Sequence, residues 1–226
     1  MNKLYLIGDS VMKGVTLLSQ PQKYKICSEV GFGSLESHGV EVTNRSRMGA
    51  TVIYGRETLE RTLKNTPEGS AVIFEYGGND CDFRWAEISQ NPDGEHMPNT
   101  PADVFCETYR ECIRTARGHG MRVALTNLVP LDADKYLDWI CRGLSRENIL
   151  RWLGDASMLY RWHEFYNKLV EDIAREEGCP LIDLRSEFLL SHRYRELICD
   201  DGIHPTDEGH RLIRSIIDTR AEKILA

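Results

Sequence analysis

Residues 4–7 form an uninterrupted apolar run, Leu-Tyr-Leu-Ile, which stops abruptly at Gly8-Asp9-Ser10. An apolar run of this length is typical of a strand that is buried on both faces of a parallel sheet. The Gly-Asp-Ser that follows is typical of a turn and a helix N-cap. We therefore predict a central strand that carries Ser10 to the carboxyl edge of the sheet, where open α/β sheets bind their ligands.

The same strand-like character recurs along the chain, and amphipathic helical patterns separate the strands. Further strands are predicted at residues 40–43, 71–76, 121–126 and 180–184, and the main helices at 51–65, 101–118, from 155 onward and after 205. This alternation predicts one α/β domain over residues 1–226, a three-layer α/β/α sandwich. Its five-stranded parallel sheet is expected to have the flavodoxin-like strand order 2-1-3-4-5.

The segments between these elements are predicted to be less regular. Residues 11–19 can begin a helix, because their apolar side chains recur at helical spacing. Residues 20–39 are rich in Gly, Ser and Lys and are interpreted as an irregular excursion. Residues 81–100 are predicted to be a long polar loop, and residues 131–154 a second loop with short helical patches at best.

Two tryptophans in the long loops, Trp85 and Trp139, are candidate substrate-binding residues. Both loops leave the carboxyl ends of predicted strands, so they are expected to overhang Ser10 and to determine substrate choice. The simpler alternative is that these aromatic side chains belong to a core or an interface.

Composition and charge limit the classes of function. A net charge of −7 argues against nucleic acid or an anionic membrane surface as a partner. No apolar run has the length of a membrane span, and the residues before the first strand leave no room for a signal peptide. Seven irregularly spaced cysteines without a Cys-x-x-Cys pair indicate reduced thiols rather than a zinc site. We therefore predict a cytoplasmic protein without metal or cofactor; its oligomeric state stays open.

Ser10 becomes a candidate nucleophile because a candidate base and acid follow near the end of the chain. Histidine has a suitable pKa to take the proton of a serine hydroxyl, and His204 lies in a turn-rich loop. Asp201, three residues earlier, is the candidate acid that orients the imidazole, with Asp200 as the competing choice. His210 could join His204 at a metal, but it is interpreted as an exposed residue near the start of the last helix.

Acyl transfer also needs hydrogen-bond donors for the oxyanion that forms on the attacked carbonyl. The backbone N–H of Ser10, the backbone N–H of Gly49 and the side-chain amide of Asn79 are candidates, because all three follow predicted strands. Taken alone, Gly49 would be an ordinary loop glycine and Asn79 a turn cap. Asp9 is interpreted as a residue that ties down the turn of Ser10.

The ordered set of these motifs resembles the SGNH hydrolases, also called GDSL esterases/lipases. Their four blocks are matched by Gly8-Asp9-Ser10, by Gly49, by Gly77-Gly78-Asn79-Asp80 and by Asp201-Gly202-Ile203-His204. The resemblance implies a flavodoxin-like fold, a Ser10, His204, Asp201 triad and an oxyanion hole from Ser10, Gly49 and Asn79. Val11 departs from the leucine of the family's name, at a position that packs rather than reacts.

The sequence therefore predicts a serine hydrolase that cleaves small-molecule carboxylic esters through an acyl-enzyme. A short-acyl or O-acetyl ester of a small polar carrier is the expected substrate, and a lysophospholipid or acyl-thioester is the alternative within the class. A ligand-binding protein of the same fold without turnover is a rival of another class. A nucleotide- or flavin-binding protein is the other rival, but no glycine-rich phosphate loop is present.

Overall fold

A computed structural model describes residues 3–20, 22–27 and 32–225, the last four of these by their backbone alone. The strands are β1 (Lys3–Gly8), β2 (Val15–Ser19), β3 (Gln22–Ile26), β4 (Glu41–Asn44), β5 (Ala71–Glu75), β6 (Arg122–Thr126) and β7 (Leu181–Ile182). The helices are α1 (Ser10–Lys13), α2 (Gly33–Ser37), α3 (Val52–Leu63), α4 (Trp85–Gln90), α5 (Ala102–Gly118), α6 (Ala133–Ile140), α7 (Arg146–Leu153), α8 (Ser157–Glu176), α9 (Arg185–Leu190) and α10 (Asp207–Leu225). A 3₁₀ turn, Tyr194–Glu196, follows α9.

The central sheet is parallel throughout, with the strand order β4-β1-β5-β6-β7. Counted along the chain, its strands have the order 2-1-3-4-5, so the predicted fold class and topology are confirmed. The connection between β4 and β5 crosses to the other side of β1, which places β1 between them. Because the connections that leave β1 and β4 run to opposite sides of β1, a crevice opens at the carboxyl edge of the sheet, directly beyond β1.

The alternating side chains of the strands divide the interior into two cores. Tyr5 and Ile7 face the helices α3, α5 and α8 on one side of the sheet. Leu4 and Leu6 face α2, α9 and α10 on the other side. All four side chains are buried, and each buried apolar side chain of this size contributes about 1.5–3 kcal/mol of transfer free energy. Both faces of β1 are therefore covered, which explains its unbroken apolar sequence.

The predicted helix over residues 11–19 is wrong beyond its first turn. Gly14, with φ of 88°, ends α1 after Lys13, because a left-handed backbone favours glycine and breaks the helical hydrogen bonds. The chain then forms an antiparallel hairpin of β2 and β3. The segment 20–39 is therefore not irregular where it is described, because it contains β3 and α2; residues 21 and 28–31 lie outside the described part of the chain.

The two predicted long loops also contain more helix than expected. Residues 81–100 include α4, and residues 131–154 fold into α6 and α7. The side chains of Asp132 and Ser145 cap α6 and α7, because each accepts a hydrogen bond from a backbone N–H of the first turn. These helices pack around a third apolar core next to the carboxyl edge of the sheet.

Candidate active site

Ser10 lies where β1 ends and α1 begins, and the turn around it is fixed by its neighbours. The side chain of Asp9 caps α1 by accepting a hydrogen bond from the N–H of Val11 at 2.8 Å, as expected for a residue that ties down this turn. A Cβ on Gly8 would lie 2.8 Å from both the carbonyl oxygen of Glu75 and the Cβ of Met12, so only glycine fits there. Ser10 is thereby held at 6% exposure at the edge of the sheet.

His204 reaches Ser10 from a position 194 residues later in the chain. Its Nε2 lies 2.9 Å from Ser10 Oγ, and its Nδ1 lies 2.7 Å from Oδ2 of Asp201. The other carboxylate oxygen of Asp201 accepts the backbone N–H groups of Ile203 and His204 at 3.1 and 3.0 Å. The three predicted residues therefore form one continuous chain of contacts.

Asp201 and Asp200, the two competing acids, have different surroundings. Asp201 is fully buried, whereas Asp200 is exposed and accepts a hydrogen bond from the hydroxyl of Ser19 at 3.0 Å. Burial raises the pKa of Asp201, but hydrogen bonds and charge from His204 outweigh it and leave the pKa below its ordinary value. Only Asp201 is therefore placed to orient the imidazole as a carboxylate.

The two other candidate donors lie on the same cavity wall as Ser10. Gly49, with φ of 73°, occupies an exposed turn after β4. Asn79 follows β5, and its Nδ2 donates to Oδ2 of Asp9 at 2.8 Å. An amide nitrogen carries two hydrogens, so this contact leaves one of them for a ligand.

A buried glutamate beneath Ser10 was not singled out from the sequence. The carboxylate of Glu75 accepts the backbone N–H groups of Asp9 and Met12 at 3.2 and 3.3 Å, on either side of Ser10. Burial, reinforced by the charge of Asp9, raises the pKa of Glu75 well above its ordinary value. A glutamate inside the otherwise apolar run of β5 is the signal that could have identified it.

A cavity of about 270 Å³ opens beside Ser10 and extends over the third apolar core. Trp85 lines this cavity, as do Trp152 and Trp162. Trp139, in α6, does not line the cavity. Its ring centroid lies 6.3 Å from that of Tyr24 in β3, so Trp139 packs α6 against the hairpin. Of the two candidate substrate-binding tryptophans, only Trp85 therefore lines the cavity that Ser10 also lines.

His210 is buried rather than exposed, contrary to the sequence-based expectation. It is 1% exposed, and its Nε2 lies 2.7 Å from the carbonyl oxygen of Val15. Burial lowers the pKa of His210 to about 4, so the ring is neutral near pH 7.

Within the described residues, no three His, Cys, Asp or Glu side chains form a group that could hold a metal ion. None of the described helices is both long and apolar enough to cross a membrane.

The chain is similar to known proteins both in sequence, by its match to a family model, and in fold. The model of the GDSL-like Lipase/Acylhydrolase family matches residues 6–212. The fold resembles a lipase/acylhydrolase from Enterococcus faecalis, with a TM-score of 0.67 and 18% identity over 99% of this chain and 96% of that one. A GDSL-like lipase from Bacteroides thetaiotaomicron has a TM-score of 0.64 and 17% identity over 98% and 88% of the two chains. A mutant of an acetyl-xylooligosaccharide esterase from Geobacillus has a TM-score of 0.65 and 18% identity over 100% and 94%. Comparison with curated protein sequences gives no match.

Proposed function

Because the chain belongs to the GDSL-like lipase/acylhydrolase family, we propose that it hydrolyses carboxylic esters through an acyl-enzyme formed on Ser10. One observation carries this proposal: Ser10, His204 and Asp201 form a continuous chain of contacts of 2.9 and 2.7 Å at the carboxyl edge of the sheet. A ligand-binding protein without turnover has no need for a buried carboxylate behind a buried imidazole.

In the proposed mechanism Ser10 Oγ attacks the ester carbonyl while His204 Nε2 takes its proton. Asp201 accepts the Nδ1 hydrogen, which fixes the tautomer of His204 and stabilises the imidazolium as it forms. The imidazolium then gives the proton to the leaving alcohol, and the Ser10 ester remains. Water, deprotonated by His204 in the same way, attacks this acyl-enzyme and releases the acid.

The oxyanion of each tetrahedral intermediate is proposed to lie among three donors. The backbone N–H groups of Ser10 and Gly49 are two of them, and the second amide hydrogen of Asn79 is the third. The contact between Asn79 and Asp9 supports this role, because it fixes the amide before the substrate arrives. Donors that are already in place need no reorganisation in the transition state.

The proposed substrate is a small ester without an anionic group next to the scissile bond. The cavity beside Ser10 is lined mainly by apolar and aromatic side chains, and neither lysine nor arginine is among the described residues that line it. A thioester or lysophospholipid with a phosphate close to the carbonyl would meet no cationic partner there. A short acyl or O-acetyl ester fits this wall.

We also propose that the protein is cytoplasmic, because all seven cysteines are free thiols.

The proposal is tested by steady-state kinetics on an activated short-acyl ester such as p-nitrophenyl acetate. Ser10→Ala and His204→Ala should each lower kcat by roughly 10⁴–10⁶, and the double variant should lose little more, because the residues act as a unit. Asp201→Asn should lower kcat by a smaller factor. Asp200→Asn is the matched control and should leave kcat near the wild-type value.

Two results would contradict the assignment. Retained turnover in Ser10→Ala would exclude Ser10 as the nucleophile. A loss of kcat in Asp200→Asn, without one in Asp201→Asn, would show that the adjacent aspartate orients the histidine.

A further inference from the structure

The cavity beside Ser10 contains a carboxylate that forms no ion pair with any residue in the described part of the chain. Oδ1 of Asp82 accepts hydrogen bonds from Trp85 Nε1 at 2.8 Å and from the Tyr136 hydroxyl at 2.5 Å, and both donors are neutral. Among residues 3–20, 22–27 and 32–225, no lysine, arginine or histidine forms an ion pair with Asp82. A partly buried carboxylate is normally paired with a cation, so this one needs an explanation.

No other described group of the cavity wall supplies a positive charge. The lining residues include the acids Asp9, Glu75 and Asp82, and the groups that could become cationic are His163 and His204. His204 is engaged by Ser10 and Asp201. Burial lowers the pKa of His163 to about 3, so this ring is neutral at physiological pH. The described residues of the cavity wall therefore include three acids and neither a lysine nor an arginine.

The surroundings of Asp82 show the effect of this missing charge. Burial raises the pKa of its carboxyl, against the hydrogen bonds from Tyr136, Trp85 and the backbone. A cation that enters the cavity would stabilise the ionised form and reverse the shift. Asp82 is thus an acid that an entering positive charge would stabilise, and it lines the same cavity as Ser10.

The walls next to Asp82 are aromatic. Trp85, Tyr136, Phe83 and Trp152 all line the cavity, together with Trp162. Their rings are close neighbours, with the centroids of Phe83 and Trp152 4.8 Å apart and those of Trp85 and Tyr136 6.2 Å apart. Aromatic rings attract ammonium groups through their quadrupole, and the attraction is strongest where water is excluded.

We infer that this cavity binds an organic cation, an ammonium group carried by the ester substrate, between Asp82 and the aromatic side chains. The inference rests on the proposed function, because the ester that carries the ammonium must also reach Ser10. It adds a substrate class to that function: esters with a quaternary or protonated amine in the part that enters the cavity.

The competing interpretation is that Asp82 only holds Trp85 and Tyr136 in position. The substitution Asp82→Asn separates the two, because asparagine keeps an oxygen that accepts both hydrogen bonds and removes the negative charge. A purely positional role predicts equal effects on charged and neutral substrates. A role in cation binding predicts a loss confined to the charged ones.

The experiment compares esters that differ only in charge. In the first pair, butyrylcholine carries the cation in its alcohol part, and 3,3-dimethylbutyl butyrate is its neutral isostere. In the second pair, methyl 4-(trimethylammonio)butyrate carries the cation in its acyl part, and methyl 5,5-dimethylhexanoate is its neutral isostere. We expect the wild type to favour the charged ester of at least one pair in kcat/KM. Asp82→Asn should reduce that preference at least about tenfold with little change on the neutral ester. Asp93→Asn, an exposed acid paired with Arg151, controls for net charge and should leave the preference unchanged.

Inhibition of the wild type gives a second measurement that needs no variant. Choline should inhibit the hydrolysis of the neutral ester at a concentration at least about tenfold below that of 3,3-dimethylbutan-1-ol. The inference is overturned if the neutral ester of both pairs is preferred and choline inhibits no better than the neutral alcohol. It is equally overturned if Asp82→Asn leaves the charge preference unchanged. Either result, with turnover of the neutral esters intact, leaves the proposed esterase function standing; absence of all ester hydrolysis would instead remove that function.

Discussion

At the scale of single residues, Asn79 connects the turn of Ser10 to the cavity. Its amide donates to the buried carboxylate of Asp9, which itself caps the helix that begins at Ser10. This link holds the side chain in one orientation and leaves its second hydrogen free. The same amide can therefore contribute both to the stability of the turn and to the oxyanion, and the two contributions are separable by experiment.

We predict that Asn79→Ala lowers kcat by about 10²–10³ with KM little changed, because an oxyanion contact is stronger in the transition state than with the bound ester. The lost hydrogen bond to Asp9 should also lower the free energy of unfolding by about 1 kcal/mol. Kinetics and thermal unfolding are measured on one preparation. A lower midpoint with near-normal kcat would limit Asn79 to a structural role.

The control is Asn148→Ala in α7, which also removes a side-chain amide donor, in this case one that donates to the backbone carbonyl of Ser89. It should reduce stability by a similar amount and leave kcat unchanged, because this contact belongs to α7 and α4 rather than to the turn of Ser10.

The residues of the site could be predicted from the sequence only where a local pattern marked them. Ser10 ends a predicted strand, and Asp201 precedes His204 by three residues in a turn. The residue types and their order, which resembles that of the SGNH hydrolases, predicted that the three form one site. Asp82 gave no such pattern, and Glu75 was marked only by its charge in the otherwise apolar run of β5. Their partners are backbone or aromatic groups that only the packed chain places beside them.

At the scale of elements, His210 ties the last helix to the hairpin. Its ring contacts the carbonyl oxygen of Val15, and so connects α10 to β2 at 2.7 Å. Burial lowers its pKa to about 4, from an ordinary value of 6.5. As the pH falls from 6.5 toward 4, His210 of the unfolded chain takes up a proton before His210 of the folded protein does. The neutral ring therefore contributes stability that is present above pH 6.5 and lost toward pH 4.

We predict that the free-energy difference between the wild type and His210→Gln depends on pH. Glutamine can donate to the same carbonyl but does not titrate, so the wild type should lose about 2 kcal/mol relative to the variant between pH 7.5 and pH 4.5. Urea unfolding at the two pH values measures this. The exposed His119→Gln is the control and should show no such change. A difference that is the same at both pH values would contradict the burial argument.

Periodicity predicted the central elements well because their environment is uniform. β1, β5 and β6 are buried on both faces, and α3, α5 and α8 each cover the sheet with one apolar side. The hairpin was missed because Val15 and Leu18 also fit a helical period, and only the left-handed backbone at Gly14 decides between the two. The helices α6 and α7 were missed although Asp132 and Ser145 are typical N-caps.

At the scale of the whole molecule, the fold brings segments from early and late in the sequence together at the carboxyl edge of the sheet. β1 lies between β4 and β5, so the loops after these three strands carry Ser10, Gly49 and Asn79 to one place. The loop before α10 adds His204 from the far end of the sequence. This loop is anchored on α6: Gly202 has φ of 78°, and its carbonyl accepts the N–H of Asp132 at 2.8 Å. Reactivity of Ser10 should therefore depend on the intact fold.

The assignment of Ser10 as the nucleophile is tested by active-site labelling with a fluorophosphonate probe, followed by peptide mass spectrometry. An activated serine forms an Oγ–P bond with the probe and releases fluoride, whereas an ordinary surface serine does not react. We expect one adduct, on the peptide that contains Ser10, which disappears in Ser10→Ala and after unfolding in urea, and which falls steeply in His204→Ala. An unlabelled wild type, or a label that persists in Ser10→Ala, would contradict the assignment of Ser10 as the nucleophile.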